Sequence, residues 1–415
     1  MLDIRLIRAD PSAARTALAR RGDVPDDAID RLLALDERWR TLTTELEQLR
    51  AAQNRSSRAR RGAPSAAERE QMAALAARGR ELTEAETGVR AELDTLLLSL
   101  PNLPAGDTPP ADSVLREAGR TGWTGRDHLE LAGAMIDMKR GARVSGSRFA
   151  YLRGGLVLLE FALVQYALTK LIEHGFEPVI PPVLVREQAL VGTGMLPDTE
   201  QQIYRLPEDD LYLVGTSEVA LASLHRDEIL DAAELPRRYA GFSACFRREA
   251  GAAGKDTRGI FRVHQFDKLE MFAFVEPGRS AEEHERILAI EEAILAELQI
   301  PYRVVAIAVN DLGSAAAKKY DCEAWMPGQG QFREVTSCSN TTDYQARRLG
   351  IRYRPTAAGQ APAGGRPETL HTLNGTAVTW RHMIALLENG QQGDGTVVLP
   401  EVLTHYGAPA TLSAG

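Results

Sequence analysis

A chain of 415 residues with 44% hydrophobic side chains has room for two or three domains and for a large buried core. Its formal charge of −8 excludes a uniformly basic nucleic-acid binder, so any such surface has to be local. Three cysteines, Cys245, Cys322 and Cys338, lack CxxC spacing, which argues against a disulfide framework or a Cys-rich zinc site and for a reducing compartment.

The opening MLDIRLIRADP has no basic region followed by an apolar core, so no signal peptide is expected and the expected location is the cytoplasm. Residues 1–25 read as a short helical lead, with Pro11 and Pro25 as punctuation. From Asp26, Leu32, Leu35, Trp39, Leu42, Leu46 and Leu49 recur at spacings of 3 and 4, the seam of a coiled coil. Gly62-Ala63-Pro64 signals a turn, and a second helix runs to about Leu98 with Leu75, Leu82, Val89, Leu96 and Leu100 as its seam, weakened by Gly79 and Glu86. Each helix of roughly 30 residues spans about 45 Å. Together they predict an antiparallel arm over residues 1–105. Arg50, Arg55, Arg58, Arg60 and Arg61 cluster at its tip, a group suited to a phosphate backbone, although a solvated helix end has the same composition.

Pro101, Pro104, Pro109 and Pro110 mark a linker to a second domain over 106–415. GGLVLLEFALVQYALTKLI, within a helix expected over 154–171, holds Glu160, Gln165 and Lys170, so it reads as a buried amphipathic helix and no membrane is expected as a partner. In EHGFEPVIPPVLV, Pro181 and Pro182 imply a sheet edge or an interface. Strand-like segments follow: LYLVGTSEV, RYAGFSACF, YRVVAIAV, CEAWMP and FREVTSCS, with helices over 282–298, 346–349 and 383–388. Strands outnumber a βα alternation, and neither GxxxxGK[ST] nor a strand-linked GxGxxG occurs. The predicted fold class is α+β: a helical arm followed by a domain on a mixed, mainly antiparallel sheet flanked by helices.

The most informative stretch is FRREAGAAGKDTRGIFRVHQFDKLEMF, 246–272. Its flanks alternate like strands, and Gly251, Gly254 and Gly259 place a loop between them. Such a hairpin carries arginine forks for phosphate, glutamates for an amine and Phe266 for a flat base. A charged surface hairpin has the same composition. This stretch resembles motif 2 of the seryl-tRNA synthetases, nearly position for position, and the resemblance extends from the arm to LPEVL. It implies a class II synthetase domain carrying motifs 1, 2 and 3. It also implies ATP as substrate with Mg2+, L-serine, tRNA(Ser) held by the coiled-coil arm, and a homodimer whose contact is motif 1, EHGFEPVIPPVLV.

The resemblance assigns roles by position. Arg247 is expected on the α-phosphate, Glu249 near the adenine amine and Phe266 stacked on adenine, with Arg248, Arg262 and Val263 also at the nucleotide. Arg381, in motif 3, is expected on the outer phosphates at a helix start, where backbone N–H groups also favour anions. Taken alone, Arg381 reads as a surface residue at a helix start. Glu334 and Ser337, in FREVTSCSN, are expected as Mg2+ ligands, a hard-oxygen pair beside phosphates, with Val335 and Thr336 at the ATP. Thr216, Ser217, Glu218, Arg247, Glu270 and Thr376 are expected at the serine, with Glu270 on its ammonium and Thr376 facing its hydroxyl. Asn340 and Gln345 are expected to be supporting structure, and no inserted editing domain is evident.

Some positions depart from the family pattern. Trp380 stands before Arg381 where a small residue is expected, and His382, Met383 and Gly390 are unusual neighbours; Cys322 and Ala324 flank Glu323. The Gly/Ala/Pro-rich run 356–367 reads as a mobile loop. Two explanations stand for Trp380: drift, or a specialised paralogue, for instance one tolerating a serine-mimicking antibiotic. The alternative reading is a synthetase-like ligase charging a carrier protein, which would be expected to lack the arm.

Overall fold

The computed structural model describes residues 1–22, 24–59, 65–197, 201–250, 258–355 and 366–414, in two compact units, Met1–Leu103 and Pro104–Gly415. Arg60 and Arg61, the centre of the 246–272 loop and nearly all of the 356–367 run lie outside the described residues.

In the first unit two short helices, Ile4–Ala9 and Pro11–Ala19, precede α1 (Ala28–Ala59) and α2 (Ala66–Ser99). Ser65 and Glu68 form a reciprocal capping box that starts α2. Leu32 and Leu46 are buried on α1, as are Leu82, Val89, Leu93 and Leu97 on α2. Residue 39 meets 86 and 90 while residue 49 meets 79, so the helices run antiparallel. The two residues expected to weaken the seam belong to it. Glu86 accepts the indole N–H of Trp39 at 2.5 Å, and a Cβ on Gly79 would meet Leu49 at an ordinary 3.5 Å. Arg50, Arg55 and Arg58 are exposed.

The second unit is built on eight strands: β1 (Ser113–Ala118), β2 (Glu177–Val179), β3 (Arg237–Phe246), β4 (Gln265–Val275), β5 (Tyr302–Ala306), β6 (Lys318–Met326), β7 (Gln331–Thr342) and β8 (His371–Thr379). Their order across the sheet is β1-β5-β6-β7-β8-β4-β3-β2, antiparallel except for the β2–β3 edge. The helices that matter to the site are α3 (Gly155–Glu173), α4 (Ser280–Glu297) and α5 (Trp380–Asn389). The period-2 pleat of β4 divides its residues between faces. Met271, Ala273 and Val275 join the core containing Leu156, Leu159 and Leu163 of α3 and Ile287, Leu288 and Ile294 of α4. Phe272 and Phe274 join a second cluster with Tyr239 and Leu349. Full burial of each large apolar side chain contributes about 1.5–3 kcal/mol, so both faces of β4 are strongly held.

Helix α3 is long and apolar enough to cross a membrane by length and composition alone, yet Leu156, Leu159, Leu163, Tyr166 and Leu171 are buried in the fold. Its other side exposes Leu158, Phe161 and Ile172. The extended run expected over 211–219 is a strand only at Leu211–Leu213, because Glu218 opens a short helix, Glu218–Ala222.

Candidate active site

β3 and β4 form the expected hairpin, but the ladder ends at Phe246 paired with Gln265. Arg247, Arg248, Glu249, Arg262 and Val263 therefore stand just beyond the strands, not on them as the alternation predicted. Arg247 prolongs the pairing by one bond, its N–H donating to the His264 carbonyl at 3.0 Å. Glu249 then turns the chain with φ of +52°, a left-handed conformation uncommon for its residue type.

Arg247, Glu249, Arg262 and Val263 form one wall of an open cleft. Arg247 lies 5.2 Å over the Phe266 ring and donates its Nε–H to the Gly215 carbonyl at 3.1 Å. Glu249 accepts from Arg262 Nη1 at 2.6 Å. The far wall is β7 and the start of α5. Arg381 is the second residue of that helix; its guanidinium lies 4.5 Å over Phe261 and 3.1 Å from Glu334 Oε2. Burial opposes a charge on Glu334, but Arg381 and then Lys319 outweigh it and hold the carboxyl down at about 2. Glu334 and Ser337 are three positions apart, which in a regular strand puts them on opposite faces. β7 is not regular: Cys322 pairs with Thr336 and Glu323 with Glu334, so Val335 is an extra residue that reverses the alternation. Both side chains line the cleft.

Trp380 also lines the cleft, and its indole N–H donates to Glu160 of α3 at 2.6 Å. His382 closes a capping box with Thr379, whose N–H it accepts on Nδ1 at 3.2 Å. Burial lowers its pKa to about 4, which keeps the imidazole neutral and able to accept. Both unusual neighbours of Arg381 thus have a defined structural role.

Thr376 lies on the cleft wall, and a buried polar cluster is built around its neighbours on β8 and β4. Glu270, fully buried, is ion-paired with Lys268. Lys268 Nζ donates to Thr216 Oγ1 at 2.8 Å, and Asn374 Nδ2 donates to Glu218 Oε2 at 3.1 Å and Glu270 Oε1 at 3.3 Å. Gln345 Nε2 donates to Glu218 Oε1 at 2.7 Å, the supporting part expected of it. Burial, then the charge of Glu270, pushes Glu218 up to about 7. Ser217 is turned away: its hydroxyl donates to the Gly241 carbonyl at 3.3 Å and its side chain is wholly buried. The backbone N–H of Arg248 donates to the Gln202 carbonyl, and Arg248 is not part of the cleft wall. Sequence reasoning missed Lys268 and Asn374. Lys268 was visible two positions before Glu270 on the same strand face, a spacing that allows such a pair. Among the described residues no group of three or more His, Cys, Asp or Glu side chains could hold a metal ion.

The family models add a direct comparison. That for the seryl-tRNA synthetase N-terminal domain matches residues 1–104, and that for the class II core domain of tRNA synthetases (G, H, P, S and T) matches 202–389. The chain is 49% identical to the serine–tRNA ligase of Thermobifida fusca over 422 residues, 98% of this chain and 97% of that protein. The chain belongs to the seryl-tRNA synthetase family. Another member, the serine–tRNA ligase of Acidothermus cellulolyticus, is 49% identical over 98% of both chains. The seryl-tRNA synthetase of Pyrococcus horikoshii, solved with ATP, is 41% identical with a TM-score of 0.91, covering 100% of this chain and 99% of that one. The cytoplasmic serine–tRNA ligase of Naegleria fowleri, solved with AMP, is 32% identical with a TM-score of 0.86 over the same shares.

Proposed function

We propose that this synthetase-family chain is a serine–tRNA ligase: it joins L-serine to ATP as seryl-adenylate, releasing pyrophosphate, and then transfers the seryl group to tRNA(Ser). The observation that carries the reading is the placing of Arg247 and Arg381 on the walls of one cleft, each against an aromatic ring, Phe266 and Phe261. The first step brings a carboxylate up to a polyphosphate, two anions that repel. Fixed cations and in-line positioning are what such a step needs from a protein. Arg247 holds the α-phosphate as charge builds there, and Arg381 holds the outer phosphates, giving up Glu334 to do so. Phe266 carries the adenine, with Arg262 and Val263 beside it, and the carboxylate of Glu249 accepts from the exocyclic amine. Glu270 receives the serine ammonium and Thr376 its hydroxyl, with Thr216 and Glu218 completing the pocket.

Mg2+ fits the donors present, because a carboxylate held charged and a hydroxyl on the same wall suit a hard cation that also takes phosphate oxygens. Glu334 and Ser337 would hold it. When bound, the ion neutralises charge on the phosphates.

The tRNA would be gripped by the arm, through Arg50, Arg55, Arg58, Arg60 and Arg61, mostly by shape and backbone. Exposed Leu158, Phe161, Ile172 and Ile180, the last 86% accessible, support a homodimer contact that includes motif 1. The family supports a cytoplasmic location. A carrier-protein ligase is not favoured, because the arm matches its family over 1–104.

Serine-dependent ATP–pyrophosphate exchange, run beside charging of tRNA(Ser) with the full chain and with residues 1–105 removed, tests the whole reading. Exchange in both forms, with charging lost on removing the arm, is expected. Exchange without charging on the full chain would point to another acceptor, and absence of serine-dependent exchange would overturn the proposal.

A further inference from the structure

Behind the cleft, β7 and β8 come apart. Their ladder pairs Asn340 with Leu373, Ser339 with Asn374 and Cys338 with Gly375, and Cys338–Gly375 is its last pair towards the site. On the other side of β8, Ala377 is an extra residue between the partners of Leu269 and Glu270. Thr376 thus sits where both ladders are irregular, and side chains take over. The Thr336 hydroxyl donates to the Thr376 carbonyl, and the Thr376 N–H donates to Oε1 of Glu291 at 3.0 Å.

Glu291 belongs to α4 and is wholly buried. Burial raises its pKa well above the ordinary range, so it is held as a neutral acid. Its other carboxyl oxygen accepts from the Cys322 thiol of β6 at 3.9 Å. One acid therefore holds β8 at Thr376, whose carbonyl in turn holds Thr336 of β7, and reaches β6 at Cys322. Gly375 leaves the path open: a Cβ there would lie 2.9 Å from Glu291 Oε1 and 2.4 Å from Ile287 Cγ2.

We infer that Glu291 is a positioning residue for amino-acid selectivity, a clasp that fixes Thr376, and through its carbonyl Thr336, from behind the sheet. This rests on the proposed role of Thr376 at the serine hydroxyl. Thr336 and Thr376 both line the cleft and Glu291 does not, so it acts only through them. A pocket that separates serine from alanine by a hydroxyl, and from threonine by a methyl, depends on the placing of such groups. An apolar residue would fill the same core position without holding the Thr376 N–H.

The test compares Glu291→Gln and Glu291→Leu with the wild type by exchange kinetics with serine, alanine and threonine, alongside thermal melting. Gln can still accept from the Thr376 N–H, so its serine KM should stay within about threefold. Leu should raise the serine KM about tenfold, lower the preference for serine over alanine and threonine, and leave the ATP KM within about twofold. A folded Leu variant with unchanged serine KM and preference would overturn the inference. So would a Gln variant as impaired as Leu, or equal losses for ATP and serine. If Leu does not fold, Thr336→Val removes the other end of the clasp, the bond to the Thr376 carbonyl, without touching α4, and unchanged selectivity there overturns it too. Lack of serine-dependent exchange in the wild type is a separate failure, that of the proposed activity.

Discussion

Trp380 donates its indole N–H to Glu160, fastening the first turn of α5 to α3. Glu160 also faces Asp267, and both acids are buried enough to be raised, Glu160 to about 8, chiefly by burial and then by the charge of Asp267. A folded-state pKa above the ordinary 4.5 means that the native chain binds the proton more tightly than the unfolded chain. The stability from this site is therefore complete below about 4.5 and is lost as pH rises through about 8. Melting of the wild type should fall across that window. Glu160→Gln should flatten the fall by about 2 °C or more. Parallel curves would show that the pair does not titrate there.

Trp380 itself narrows the cleft wall beside Arg381. Trp380→Thr should bind a seryl-adenylate analogue about tenfold more tightly, the scale on which a pocket distinguishes a few carbon atoms. Inhibition of exchange by the analogue measures this. Equal inhibition would remove the ground for a specialised, antibiotic-tolerant paralogue and leave drift.

Glu218, raised to about 7, should make serine binding depend on pH. Below that value the acid is neutral and adds nothing to the attraction for an ammonium; above it the charge helps. Serine KM should fall as pH rises from 6 to 8, while in Glu218→Gln this dependence should be lost. Exchange kinetics at four or five pH values decide it.

His382 holds the N-terminus of the helix that carries Arg381. His382→Gln preserves a side chain that reaches back to the Thr379 N–H, and should melt close to the wild type. His382→Ala should lose about 1 kcal/mol for the cap alone, with more for the space left behind. Chemical denaturation of the two variants separates these outcomes.

The helices of the arm were readable because a helix repeats its buried face every 3 to 4 residues, although on α2 Leu93 and Leu97 are buried where Leu75 and Leu96 were expected. The antiparallel sheet was readable from its short alternating segments. What the pattern could not give was irregularity. Val335 and Ala377 each insert one residue, and each reverses which neighbours face the cleft. Nothing in FREVTSCSN or LNGTAVT marks the place, since a bulge is decided by what lies opposite. The family resemblance supplied Glu334 and Ser337 together where period-2 reasoning separates them. Ser217 and Arg248 went the other way: adjacent to pocket residues in sequence, they are turned to Gly241 and the Gln202 segment by local backbone direction. Asn374 was missed because its partners, Glu218 and Glu270, lie far from it in the sequence, and Lys268 although its partner Glu270 is two positions away on the same strand.

Leucines repeating along both helices would tolerate a slide of one heptad, about 10 Å at 1.5 Å per residue. The Trp39–Glu86 bond does not tolerate it, because each helix has one such group at that height. The hairpin of α1 and α2 is for that reason a ruler with a single graduation: the register of one helix against the other is fixed by one indole and one carboxylate.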